Sequence, residues 1–225
     1  NVAHIYADAV LSQEVGLNTF NKFNVDAGKI ANMYFKKENG TQWVNNLVNV
    51  VNDRINVNGT VNAIQNSKIG GNLIFLSKDG FAVGKSGVVN AGSLSVMTPT
   101  SEYFVKAGLA SWADGATEDV ANGAIDFINI FGANESHIDI DAFQKTFLVN
   151  NWAEIKSMNV PINKTGTISI KGKINTTEGI ALKAAHIDIG ENPNTGELAA
   201  AVLQTGVTDF SSLVNTSDIE NYDAT

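Results

Sequence analysis

A chain of 225 residues, 44% hydrophobic and 17% charged, has the make-up of a folded protein and is long enough for one large β domain or two small ones. A net charge of -8 argues against a nucleic-acid binder, which needs Lys and Arg to neutralise phosphates, and against an anionic membrane partner. The absence of cysteine excludes structural disulfides and thiolate metal sites, and no run approaches the roughly 20 apolar residues of a transmembrane helix.

The opening NVAHIYADAV has neither Met nor a basic stretch before an apolar one, so a signal peptide is expected to be absent or already removed. In residues 16–30, Phe20, Phe23 and Val25 form a half-buried alternation ending at the Asp26-Ala27-Gly28 corner. The run TQWVNNLVNVV (41–51) fits helical spacing, but its Asn and Val content favours a strand or irregular cap.

Residues 55–98 are a series of short β-prone runs between tight Gly, Asn, Ser and Lys-Asp-Gly corners, with no room for a helical crossover. Such runs suit the coils of a solenoid, whose strands stack in parallel and bury alternate side chains. The expected inward set includes Val57, Val61, Leu73, Phe75, Phe81, Val83, Val88, Leu94 and Val96. A two-sheet sandwich fits the alternation nearly as well, and periodicity alone does not separate the two.

Residues 99–158 change character. Ser101 reads as the cap of a helix in EYFVKAGLASW, Thr117 as the cap of EDVANGAIDFINIF, and Asp141 as the cap of AFQKTFLVNNWAEI with Gln144 completing a capping box. This block is expected to be an insertion on a β body. Residues 160–205 return to the first pattern: Ile168-Ser-Ile170-Lys-Gly172-Lys-Ile174 overlays Ile55-Asn-Val57-Asn-Gly59-Thr-Val61. Each is followed by a corner (Gly71; Gly179) and a second apolar strand (Leu73–Leu76; Ile180–Leu182). The end, NTSDIENYDAT, is polar and reads as a frayed tail or a cut through a longer protein.

Catalytic chemistry is hard to find. His4, His137 and His186 are far apart and in no metal-ligand spacing. His137, Asp139 and Asp141 would share one side of a strand, as would His186 and Asp188, but an exposed edge strand explains both. Asp53 and Arg54 are adjacent and would point oppositely, unlike a lyase site. GKSG (84–87) lacks the phosphate-loop frame. Six Asn-x-Ser/Thr sequons occur, at Asn39, Asn58, Asn134, Asn163, Asn175 and Asn215, as chance allows in so Asn- and Thr-rich a chain. No enzyme activity, metal or cofactor is expected.

Residues 55–98 resemble the core of the N-terminal secretion domain of two-partner-secretion exoproteins, the family of filamentous haemagglutinin, large haemolysins and large adhesins. The family run "x-I-x-G-x-L … A-N-L-x-L-x-N-P-N-G-I-x-x-G … G-S-L" is matched by Val57-Asn-Gly-Thr-Val61, Gly71-Asn-Leu-Ile-Phe-Leu76, Ser77-Lys-Asp-Gly-Phe-Ala-Val-Gly84 and Gly87–Leu94. Phe20-Asn-Lys-Phe-Asn-Val25 is similar to the family's opening "F-x-x-F-x-V" strand. Ser77-Lys78-Asp79 stands where the family has Asn-Pro-Asn; Asp79 keeps the turn chemistry, while Lys78 lacks the φ restraint of proline. This variant is similar to the leukotoxin-like filamentous adhesins of anaerobic bacteria.

The resemblance implies an all-β fold: a single right-handed parallel β-helix domain over 1–225, with an N-terminal cap region (1–54), first coils (55–98), a partly helical extra-helical insertion (99–158), further coils (159–215) and a tail (216–225). It implies a secretion-targeting domain of a large exported adhesin or toxin, destined for the medium or the bacterial cell surface after crossing the periplasm. The partner implied is an outer-membrane β-barrel transporter of the TpsB type, recognising Asn72, Leu73, Phe75, Ser77, Lys78, Asp79, Gly80, Phe81, Val83 and Gly84, with Phe20, Phe23 and Val25 as a second segment. The full-length protein would also meet a host-cell surface ligand. The alternative is a folded adhesin module that itself binds host glycan or protein. No nucleic acid or membrane insertion is expected.

Overall fold

The computed structural model describes residues 1–106, 140–190, 195 and 201–225. The expected helix beginning at Thr117 and the pair His137 and Asp139 lie outside the described residues. The chain opens with β1 (Val2–Tyr6), β2 (Ala9–Leu11), β3 (Val15–Phe20), β4 (Asn24–Val25), β5 (Ile30–Tyr34) and β6 (Asn46–Val51). Then come β7 (Ile55–Val57), β8 (Thr60–Gln65), β9 (Lys68–Ile69), β10 (Asn72–Leu76), β11 (Gly80–Val83) and β12 (Val88–Met97). Helices α1 (Ser101–Lys106) and α2 (Ile140–Lys156) precede β13 (Thr167–Ile170), β14 (Lys173–Lys183), β15 (His186–Ile189) and β16 (Val202–Gln204).

These strands are short and rich in Val, Ile and Phe because each ends at a corner, and they pair almost wholly in parallel. One ribbon runs β3, β6, β10 and the second halves of β12 and β14. A second runs β4, β7, β11, β13 and β15. A third runs β1, β5, β8, the first halves of β12 and β14, and β16. From β3 onward the chain visits the ribbons in a fixed cyclic order. Side chains bonded between successive coils are 21 to 32 residues apart in sequence. The separation grows to 85 where the insertion intervenes. Among the described residues, antiparallel pairing is found in two hairpins and in the isolated bridge between Pro99 and Ile162. In β2–β3 it closes the outer edge of the first ribbon. In β8–β9 the turn residues Asn66 and Ser67 both have positive φ, the requirement of a type I′ turn.

The overlay read from the sequence has the right phase. Phe81 is paired with both Ile55 and Ile168, Val89 with both Val61 and Ile174, and Leu94 with both Leu73 and Ile180. Gly172 is glycine because a Cβ there would stand 2.3 Å from the carbonyl oxygens of Gly84 and Gly87, and Gly59 has the same crowding two turns of the pattern earlier. Alternation also orients β10 as expected, with Leu73 and Phe75 in the core between the ribbons and Ile74 on the opposite face. One inward residue is corrected: Val89, not Val88, enters the core. The register of β12 slips between Ala91 and Ser93, at the corner where this strand passes from one ribbon to the next, and strict alternation counted back from Leu94 does not survive that slip.

Two further layers cover the outer faces. Helix α2 packs on β2 and β3, and its Phe147, Leu148, Trp152 and Ile155 share one buried cluster with Val48, Val50, Ile74 and Leu76 of the first ribbon and with Tyr103 and Phe104 of α1. Two capping expectations are corrected. Thr100, not Ser101, accepts the Tyr103 backbone N–H at the start of α1. Asp141 lies inside α2, and the Gln144 side chain donates to Asp8 and Thr19 instead of closing a capping box. Buried Gln144 points its amide toward the β body, at 3.3 Å from Asp8 and 3.4 Å from Thr19, and so is turned away from its own helix end. Residues 140 and 141 are therefore helical, not part of an exposed strand. The reading of 137–141 as one edge strand fails for those two positions.

The third ribbon is covered by the C-terminal stretch, which is docked and not frayed. Residues 206 and 207 donate to Thr177 and Thr176, Asp218 accepts from Asn32, and Asp223 donates to Ser67. Ile219 packs with Tyr34 and Ile64. Tyr6 stacks on Tyr34 at 4.5 Å, the Tyr6 hydroxyl donates to the Glu220 carboxylate, and the Glu220 N–H donates to Tyr34 Oη at 2.9 Å.

Burial pushes the phenols of Tyr6, Tyr34 and Tyr103 above the ordinary tyrosine value, for Tyr6 with help from the bond to Glu220. Above about pH 10 the unfolded chain therefore sheds phenolic protons that the folded chain keeps. The stability these groups contribute is complete below that pH and is lost as pH rises beyond it. Urea midpoints should fall from pH 9.5 to 11, and tyrosinate absorbance should appear at higher pH in the folded chain than in the unfolded one. Coincident folded and unfolded titrations would contradict this environment.

Candidate functional site

The segment Asn72–Gly84 is a strand, a corner and a strand, β10 to β11, and its periodicity decides what each residue meets. Leu73, Phe75, Phe81 and Val83 point into the core and are buried. Phe75 lies 5.4 Å from Phe23 on one side and 5.4 Å from Phe81 on the other, and Phe23 lies 5.2 Å from Phe20, ring centre to ring centre. The two segments singled out in the sequence, 20–25 and 72–84, are thus brought together as one aromatic row. Val25 joins the same core.

The corner itself is built from polar groups. Ser77 is buried and its hydroxyl donates to the Asp53 carbonyl at 2.8 Å. Lys78 Nζ pairs with Asp79 at 3.1 Å, and Asp79 points to solvent. Gly80 has φ +111°, and a Cβ there would stand 2.2 Å from the Thr167 carbonyl oxygen. Asn72 is half-exposed and belongs to a polar column, donating to Asn46 at 3.0 Å and accepting from Ser93 at 2.9 Å. Gly84 lies against Asn58. Folded, the segment shows solvent little beyond the Lys78-Asp79 tip; extended, it would show every apolar side chain.

Sequence reasoning missed two sets of residues that hold this corner and its coil. Asn163 donates to the Lys78 carbonyl at 2.7 Å and the Pro99 carbonyl at 2.9 Å, and its Oδ1 accepts the N–H of Gly166 at 2.6 Å. It thereby ties the base of the insertion to the corner. The second set is a column of buried asparagines on the third ribbon. Asn62 donates to Asn32 at 3.0 Å, Asn90 to Asn62 at 2.9 Å, and Asn175 to Asn90 at 3.0 Å. The signal was available: Asn stands three residues after the corner glycine in Gly59-Thr-Val-Asn62, Gly87-Val-Val-Asn90 and Gly172-Lys-Ile-Asn175. Asn175, read as a sequon, is buried inside this column.

Among the described residues no group of three or more His, Asp or Glu is placed to hold a metal ion. His4 Nδ1 lies 2.8 Å from Tyr34 Oη, and His186 sits on the edge strand β15. Among the described residues no helix is long and apolar enough to cross a membrane. Comparison with family models, with curated proteins and with solved structures finds no match to this chain.

Proposed function

We propose that this chain is the secretion-targeting domain of a large exported adhesin or toxin, recognised by a cognate outer-membrane β-barrel transporter and folding outside the cell. The observation that carries the reading is the burial of the motif. Leu73, Phe75, Phe81 and Val83 are all inside the folded core, so only an unfolded chain offers them to a partner. Extended, NLIFLSKDGFAVG is an amphipathic, strand-prone peptide suited to adding itself to a partner's strand edge. Folding withdraws that signal, which gives passage a direction. The finer architecture belongs to the same proposal: the three ribbons wind as a right-handed parallel β-helix, with the first strands as cap and 99–158 as an extra-helical insertion. The cyclic strand order supports it, and right-handed crossovers between parallel strands are the rule.

The test uses a purified transporter of the two-partner-secretion type with the unfolded chain, wild type or Asp79→Ala/Gly80→Ala. The variant should bind about tenfold or more weakly. Its folded form should also be destabilised, since alanine at Gly80 meets the Thr167 carbonyl. Equal binding of the two unfolded chains would make the corner purely structural and move recognition to Phe20, Phe23 and Val25. Absence of binding by either would overturn the secretion reading.

A further inference from the structure

Beside the β layers, α2 and the start of α1 enclose a cleft of about 530 Å³ lined by both polar and apolar surface. Asn150, Asn151 and Glu154 line it from α2, Glu102 and Tyr103 from α1, and Asn159 from the turn that follows α2. Tyr103 is 5% exposed, yet its hydroxyl has no hydrogen-bond partner among the described residues. A buried hydroxyl left unpaired costs about 1–3 kcal/mol, so such a group calls for a water, an ion or a ligand to satisfy it.

The walls are fixed before any ligand arrives. Met158 adopts φ +56° to end α2, and the Asn159 N–H donates back to the Glu154 carbonyl at 2.9 Å. The Thr100 N–H donates to the Pro161 carbonyl at 3.0 Å, which joins the α1 side to the segment after α2. Lys156 pairs with Glu14 at 2.6 Å and anchors the end of the helix to the β body.

We propose that this cleft binds a neutral saccharide. The two carboxylates only accept hydrogen bonds, the Asn150 and Asn159 amides both donate and accept, and Asn151 keeps its Oδ1 available because its Nδ2 is spent on the Phe147 carbonyl. That mixture matches a ligand with many hydroxyls, each able to donate to one wall and accept from another. The Tyr103 hydroxyl completes the set. No Lys or Arg is among the described residues lining the cleft, so sulfated or carboxylated sugars meet only Glu102 and Glu154 and are repelled. This inference is independent of how the chain is exported.

The experiment titrates lactose, N,N′-diacetylchitobiose and mannobiose into the isotope-labelled intact chain, with a chondroitin sulfate disaccharide as the charged comparator. At least one neutral sugar should shift the side-chain amide resonances of Asn150, Asn151 and Asn159 saturably, with a dissociation constant in the millimolar range or tighter, and the charged sugar should not. Tyr103→Phe should weaken that binding about tenfold while leaving the melting temperature unchanged or higher, because it removes an unpaired buried group. A merely structural hydroxyl would lower the melting temperature and leave affinity unchanged. Saturable shifts from no neutral sugar, a preference for the charged one, or binding indifferent to Tyr103→Phe would each overturn the proposal.

Discussion

Phe75→Ala should destabilise the fold by about 3–5 kcal/mol, the range for removing a fully buried phenylalanine from a core that cannot close over the gap. Phe75 has no solvent exposure and stands in the middle of β10, between Asn49 of β6 and Val96 of β12. Both neighbouring strands are held at fixed spacing by backbone ladders, so the coils cannot move together to fill the space. The ring is also the middle member of the row Phe23, Phe75, Phe81, and its loss removes two aromatic contacts at once. Phe75→Leu, which keeps most of the volume, should cost about 1.5 kcal/mol or less. Urea unfolding reads both: the midpoint should fall while the slope with denaturant stays constant. A loss below about 1 kcal/mol for the alanine variant would mean that the register of β10 is wrong.

Asn62→Ala should cost about 2–5 kcal/mol by a different route. Asn62 is the link that both donates to Asn32 and accepts from Asn90, and all three are buried beneath the C-terminal stretch. Alanine leaves the Asn90 amide without an acceptor and the Asn32 carbonyl without a donor, each at about 1–3 kcal/mol. The control is Asn56→Ala. Asn56 makes the same kind of bond to Asn24 at 3.0 Å, but on the solvent face of the second ribbon, where water replaces the lost partner. That variant should change stability by about 0.5 kcal/mol or less. Equal losses at the two positions would show that burial beneath residues 206–222 is not what gives the column its weight.

Much of the coil pattern was legible because its causes are local. Corners demand Gly, strands between corners alternate, and repeated coils must repeat both; hence Ile55 and Ile168 could be aligned from sequence spacing alone, and the structure pairs both with Phe81. The same local logic put Leu73 and Phe75 inward, as found. It failed at Val88 and Val89 because the slip between Ala91 and Ser93 depends on how β12 turns from one ribbon to the next. It failed at Asp141 because Gln144 bonds to Asp8 and Thr19, more than a hundred residues away in sequence.

The candidate segment divides along the same line. Its strand–corner–strand form and the turn role of Asp79-Gly80 were written in residue type, since few residues other than Gly hold φ +111°. That Phe20 and Phe23 share one aromatic row with Phe75 and Phe81, and that Asn163 fastens the corner to the insertion, came only from the packed chain. Composition and spacing determined the strands, the corners and the acidic, cysteine-free character of the protein, because these follow from backbone sterics and charge within a few residues. Tertiary structure alone decided what covers the outer faces: the helical layer of α1 and α2 on the side of Ile74, and the returning C-terminal stretch over the asparagine column. Those contacts join positions up to 214 residues apart, as in Tyr6 and Glu220, and no periodicity within a strand encodes a partner so distant.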